Sequence, residues 1–269
     1  MKRLILLRGG GDLASGVALR LHHAGFQVVI AELPRPLAVR RLVSFSEAVY
    51  EGQTTVEDAT ARLVPPDQIE ATLARREIPV LIDPNLDLLQ TFDLRLLTAL
   101  VDARLLKTPP LPLPVPVPLH IGLGPGFRAG RDCHAVVETQ RGHALGRVYW
   151  NGAPLPDSGQ PDGDPRRVLR AARDGVIITH ANIGEHVDEG QLVAEVKVDT
   201  YTSTQVHSPF AGALRGLLRN NMEVTRGLKL GDVDSRDDPS LCRLVSDKAL
   251  AVGGGALEAA LAGMNLEHP

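Results

Sequence analysis

Apolar and polar positions switch between two periods along the first hundred residues. Leu4–Leu7 is an unbroken apolar run, the composition of a strand buried on both faces. Leu13, Ala14, Val17, Ala18, Leu21 and Ala24 then recur at helical spacing, and Gly25 suits the position after a helix end. Gln27–Ala31 predicts a second strand, closing at Glu32. A helix is expected over 36–49, where Val43 and Phe45 blur the pattern. Pro65 and Pro66 predict a helix over 66–76, because proline is tolerated in a first turn. Pro79–Asp83 reads as a strand, and 96–106 holds a helix end and a strand closing near Asp102. Strands alternating with helices predict a parallel sheet with helices on its faces.

Between Thr108 and Leu119 proline stands at alternate positions, which removes backbone donors and favours polyproline II. The stretch reads as a spacer and a domain boundary. Short β segments and turns follow in Ile121–Phe127, Cys133–Thr139 and Gly146–Trp150, and 151–165 reads as a loop rich in Gly, Pro and Asp. From 170 a repeat emerges. Asp174–Ile177, Val187–Gly190 and Leu192–Ala194 are echoed by Ala211–Leu214, Val224–Gly227 and Leu228–Leu230. Gly175 to Gly190 and Gly212 to Gly227 both span 15 positions, so matching turns are expected. The pattern resembles biotinyl- and lipoyl-type sandwiches. Lys197 lacks a carrier context, and Thr200 falls where a carrier lysine would stand. Leu241–Glu258 reads as a strand, a polar step and a second glycine-rich loop opening a helix.

The expected fold is α/β. An N-terminal Rossmann-like parallel sheet spans 1–107. A proline-rich linker and β-rich central segment spans 108–165. A mostly β, non-carrier barrel-sandwich module of biotinyl/lipoyl-like type spans 166–236, and a C-terminal strand with glycine loop and helix spans 237–269.

Charge and composition narrow the partners. A net charge of −3 argues against a general polyanion binder, and 3% aromatic content against a stacking platform for single strands, so no nucleic acid is expected. No stretch approaches the ~18 apolar residues of a membrane span, so no membrane partner is expected. Cys133 and Cys242 form no disulfide framework and no metal pattern, which fits a reducing cytoplasm. His120, Cys133, His134 and His143 match no common metal site.

Gly9, Gly11 and Ala14 satisfy a relaxed dinucleotide-binding spacing. Amides at a helix N-terminus can hold a phosphate, and glycine lets it approach. The candidate cofactor-binding set is Gly9, Gly10, Gly11, Asp12, Ala14, Ser15, Gly16 and Glu32, with Glu32 where a ribose-binding acid belongs. A different phosphate ligand, or none, fits the same spacing. Asp12 would repel phosphate unless it caps the helix. Cys133, His134 and His143 are the candidate catalytic set, although a small buried cysteine explains Cys133 as well. Adjacent strand residues face opposite ways, so His143 or Arg131, rather than His134, would activate the thiol. Ser246, Asp247, Lys248, Gly253, Gly254 and Gly255 are a candidate second ligand loop, although a tight turn and close helix packing explain these glycines equally well.

Several of these stretches together resemble one family. Gly9–Gly16, Arg40–Gly52, Val101–Arg104, Ile121–Phe127, Arg141–Val148 and Ser246–Gly255 look like the YqeB-type accessory proteins of selenium-dependent molybdenum hydroxylases. The resemblance implies a cytoplasmic maturation role akin to that of XdhC-type factors, with a molybdenum hydroxylase as client. The phosphate-bearing cofactor would then be a molybdopterin nucleotide or NAD(P), and Cys133 would relay sulfur or selenium. An NAD(P)-dependent oxidoreductase is the alternative, although no hydride-transfer residue can be placed. A non-catalytic scaffold that docks the client is a third reading.

Overall fold

The computed structural model describes residues 4–91, 93–160 and 163–266. The chain forms two units: residues 1–36, 44–158 and 245–269 make the first, and 37–43 with 159–244 the second. The first contains β1 (Leu4–Arg8), α1 (Asp12–His23), β2 (Gln27–Glu32), α2 (Ala48–Glu51), β3 (Gln53–Val56), β4 (Ala59–Leu63), α3 (Ile69–Ala74), β5 (Ile78–Ile82), α4 (Leu88–Thr91), β6 (Leu97–Asp102), β7 (His120–Leu123), β8 (Ala135–Val137), β9 (Val148–Tyr149) and α5 (Asp247–Leu266).

One nine-stranded sheet, in the order β3-β4-β5-β2-β1-β6-β7-β8-β9, organises this unit. From β4 to β8 neighbours run parallel, while β3 and β9 close the edges antiparallel. Alternation along β1 sends Leu4 and Leu6 to one face, where they join Ile69, Leu89 and Val117 in a core cluster. The proline stretch helps to cover that face: Leu113 and Val115 pack against the same cluster. Helices α1 and α5 pack on each other at very close range. A Cβ on Gly16 would lie 2.6 Å from the Ala249 Cβ, and one on Gly253 would lie 2.7 Å from the Gly16 carbonyl.

The second unit holds β10 (Val168–Arg170), β11 (Gly175–Thr179), β12 (His186–Val187), β13 (Leu192–Lys197), β14 (Ser203–His207), β15 (Gly212–Leu217), β16 (Glu223–Val224) and β17 (Lys229–Asp234). They form two four-stranded sheets, β10-β17-β15-β12 and β14-β13-β11-β16. Gly190 and Gly227, the matched repeat glycines, both turn with positive φ, at 78° and 84°. The fully buried Asp232 gathers Arg167, Arg215 and Lys229. Burial opposes its charge, but Lys229 and the two arginines outweigh it and hold its pKa below the ordinary carboxylate value.

The expected fold class needs correction in both halves. The N-terminal sheet is not the parallel Rossmann-like sheet of an NAD(P)-binding domain. It is a large mixed sheet that runs on through β7, β8 and β9. Nor do the described residues make a biotinyl/lipoyl-like barrel-sandwich. The repeat strands pair with β10 from ahead of the repeat, and Val39, from the 37–43 segment, accepts the Leu217 amide. Lys197 ends β13 rather than standing at the hairpin tip.

Two local expectations also change. The helix over 36–49 is replaced by short 3-10 turns at Arg41–Val43 and Phe45–Glu47 and by α2. The Ser46 amide donates to the Gly10 carbonyl and the Phe45 amide to the Ser15 hydroxyl, so these backbone donors are used outside a helix. Gly253–Gly255 are not a loop, since they lie inside α5.

Candidate functional site

β1 continues through α1 to β2 on one side of the sheet, while β6 leads to β7 on the other. In open parallel sheets the crevice outside the strand ends at such a reversal is the usual ligand position. Gly9–Gly11 leave β1 there, beside Ala103 and Arg104. Gly9 has φ of 96°, a left-handed conformation that favours glycine, and its Cβ position would be 3.7 Å from the Ala103 carbonyl. Asp102 is fully buried at the end of β6 and takes both arms of Arg104, at 2.8 and 2.6 Å. Arg8 lies 3.7 Å from the same carboxylate and donates to the Pro84 carbonyl. Burial and the neighbouring Arg104 charge lower the Arg8 pKa, against the pull of Asp102 and Asp83.

The glycine loop is largely satisfied by the protein itself. Glu32 accepts the Gly10 amide at 2.6 Å with one oxygen and the Leu33 amide at 2.7 Å with the other. Burial raises its pKa, and the two amides work the opposite way. With both oxygens engaged and the residue 7% exposed, Glu32 is not the free ribose acceptor that the spacing suggests. Asp12 accepts the Leu13 amide at 2.9 Å and puts a carboxylate in the first turn of α1. Ser15 is buried, its hydroxyl bonded to the Gly10 carbonyl and the Phe45 amide, so it ties the loop to the chain passing over it. Ala14 and Gly16 are buried in the helix packing. Gly11 differs, because its Cβ position meets nothing within 4 Å. The open cradle at this crevice is therefore at Gly11, next to the α1 N-terminus.

No family model matches the chain. Over 262 residues it is 41% identical to the uncharacterized protein YqeB of Escherichia coli (strain K12), covering 96% of this chain and 47% of that protein. The chain thus spans about half the length of the curated relative it matches. Solved structures it resembles include an aspartoacylase family protein from Mesorhizobium loti, at 12% identity and a TM-score of 0.29, covering 86% of this chain and 84% of that one. The ectoine utilization protein EutE (DoeB) from Ruegeria pomeroyi matches at 11% identity and a TM-score of 0.27, covering 85% of each chain. A succinylglutamate desuccinylase from Silicibacter matches at 14% identity and a TM-score of 0.27, covering 86% and 84%. Likeness this slight carries no argument about fold or activity.

The remaining candidates are spread over the first unit. Cys133 and His134 precede β8 whereas Gly9–Gly11 follow the central strand β1, so they stand at opposite ends of the parallel strands, and His143 lies in the exposed loop after β8. No hydrogen bond joins Cys133 to His134 or His143 among the described residues. Cys133 is 8% exposed, and burial pushes its thiol up to about 11, so at neutral pH it keeps its proton. The second ligand loop is corrected to a packing surface. A Cβ on Gly255 would clash with the Gly146 carbonyl, and one on Gly146 would lie 2.6 Å from the Ala251 carbonyl. Arg141 grips Asp247 at 2.7 and 2.8 Å. Ser246 accepts the Ala249 amide in the first turn of α5. Two stretches that looked like separate sites therefore hold each other.

Arg8, Asp83, Asp102 and Arg104 were missing from the sequence-derived set. The available signal was position: each charge ends or follows a predicted apolar strand. Among the described residues no group of three or more His, Cys, Asp or Glu is placed to hold a metal ion, and no helix is long and apolar enough to cross a membrane.

Proposed function

We propose that this chain is an accessory protein in the maturation of a selenium-dependent molybdenum hydroxylase, and that it holds a phosphate-bearing molybdopterin nucleotide at the crevice beside Gly11. The similarity to YqeB over 96% of the chain supports the family part of this reading. The observation that carries the site is the open space at Gly11, beside a 12-residue helix N-terminus and within the strand-end crevice that Arg8 and Arg104 border. When bound, the cofactor would supply the redox chemistry of the client. This chain's residues would bind and orient its phosphate: the Gly11 amide and the α1 N-terminus by hydrogen bonding, Arg104 by charge. Asp12 opposes that charge, so Asp12→Asn should tighten phosphate binding.

The functional test is co-production of the client hydroxylase with the wild-type chain or with Gly11→Asp. Gly11 has φ of −66°, which any residue adopts, and aspartate is a favoured N-cap, so the variant should fold. Active, molybdenum-loaded client is expected with wild type and cofactor-poor client with Gly11→Asp. Equal loading with both would remove Gly11 from the site.

A further inference from the structure

The Gly11 crevice continues along one edge of the first unit's sheet. β1, β2, β5 and β4 run parallel, so their C-terminal ends share that edge. The contacts along it are direct. Glu32 takes the Gly10 amide at 2.6 Å, and its own carbonyl takes the Asp83 amide at 3.0 Å. Just beyond, at the ends of β4 and β5, lies a pocket of about 580 Å³ whose lining includes Val64, Pro65, Pro66, Ile82 and Leu88. Small-molecule sites are commonly ~300–1,000 Å³ and mostly apolar, with a few polar groups that fix orientation. Neighbouring strands are ~4.8 Å apart, which puts β5 about 10 Å from β1.

The lining has a definite chemistry. Ile82 is 49% exposed, and Leu33, which follows Glu32 on the way from Gly11, is 51% exposed, so apolar surface runs along this edge. Pro65 and Pro66 have no amide hydrogen. The Val64 amide donates to the Val80 carbonyl, and the Asp87 and Leu88 amides donate to the two carboxylate oxygens of the buried Asp83. Asp87 also lines the pocket and is exposed. One of its carboxylate oxygens meets Gln90 Nε2 at a long 3.5 Å, and no hydrogen bond reaches the other among the described residues. The pocket thus pairs an apolar wall with one solvent-accessible acceptor.

Resting on the Gly11 reading, we propose that this pocket takes the base of the same nucleotide, and that the base carries an exocyclic amino group. With the phosphate at Gly11, the ring lies against Ile82 and the two prolines and its amino group donates to Asp87. A phosphate in the pocket would meet a carboxylate. A base with a keto group in that place would set an acceptor against Asp87 and leave both without a donor.

Calorimetric titration of the full chain compares inorganic pyrophosphate with two nucleotide pairs that differ by an amino-to-keto exchange, CDP against UDP and ADP against IDP. In at least one pair the amino member should bind about tenfold tighter than its partner and than pyrophosphate, the size of one hydrogen bond to a charged group. Asp87→Ala should erase that preference and leave pyrophosphate binding unchanged. Ile82→Ser, at an exposed position, should weaken the nucleotides and leave pyrophosphate binding unchanged. Pairs bound alike, a preference that survives Asp87→Ala, nucleotide affinity indifferent to Ile82→Ser, or nucleotides bound no tighter than pyrophosphate would overturn the inference. Gly11→Asp separates the two claims: pyrophosphate binding lost in that variant upholds the first site whatever the pairs do, and binding retained removes it.

Discussion

Ser15 and His120 show how single buried polar groups set the local rules. The Ser15 hydroxyl is the partner of the buried Phe45 amide, at 2.8 Å. Ser15→Ala leaves that amide unpaired and should cost about 1–3 kcal/mol in urea unfolding. His120 has its folded pKa depressed from 6.5 to about 4. The unfolded chain therefore takes up the proton first on acidification. The associated stability is complete above pH 6.5 and is lost as pH falls toward 4. At most it amounts to roughly 3 kcal/mol. His120→Gln should flatten the stability-against-pH curve across that window, as read by denaturant unfolding at several pH values. Cys133 shows the same desolvation on an acid: its raised pKa makes native alkylation at pH 8 slow, with thiolate about one part in a thousand.

Glycine within a helix carries meaning only through what packs on it. Gly16→Ala removes a poor helix former, yet its methyl would press on Ala249 at 2.6 Å. Overpacking should win, at about 1–3 kcal/mol of destabilisation. Gly254 sits in the same kind of helix with nothing within 4 Å, so Gly254→Ala should stabilise by about 1 kcal/mol. Thermal unfolding of the two variants gives opposite signs if α5 is a continuous helix through Gly253–Gly255, and no such contrast if it is a loop. Here the limits of the sequence are physical. β1, α1, β2, β5 and β6 were legible because period and caps agreed. α5 was not, since three consecutive glycines signal a turn locally, and only the approach of Gly16 and Gly146 makes them helical. β3 and β4 escaped because their alternation is short and partly polar.

At the scale of the whole molecule, the sequence placed a ligand on the glycine loop without showing which amides were free. The spacing of Gly9, Gly11, Ala14 and Glu32 was correct as geometry, since Glu32 does reach the loop. It binds the Gly10 amide itself, which a sequence cannot reveal. The same holds for Cys133, whose burial comes from its packing with Phe127, Ala129 and Val136. The repeat in 175–230 was readable as repeated turns, but β10 and the 37–43 segment join that unit from outside it.

The central claim is that a phosphate-bearing molybdopterin nucleotide binds at Gly11. Calorimetric titration of the purified chain tests it most directly, comparing wild type, Asp12→Asn and Gly11→Asp. The account predicts one site in the wild type, tighter binding in Asp12→Asn, and no detectable heat in a folded Gly11→Asp protein. Equal binding by all three would contradict it.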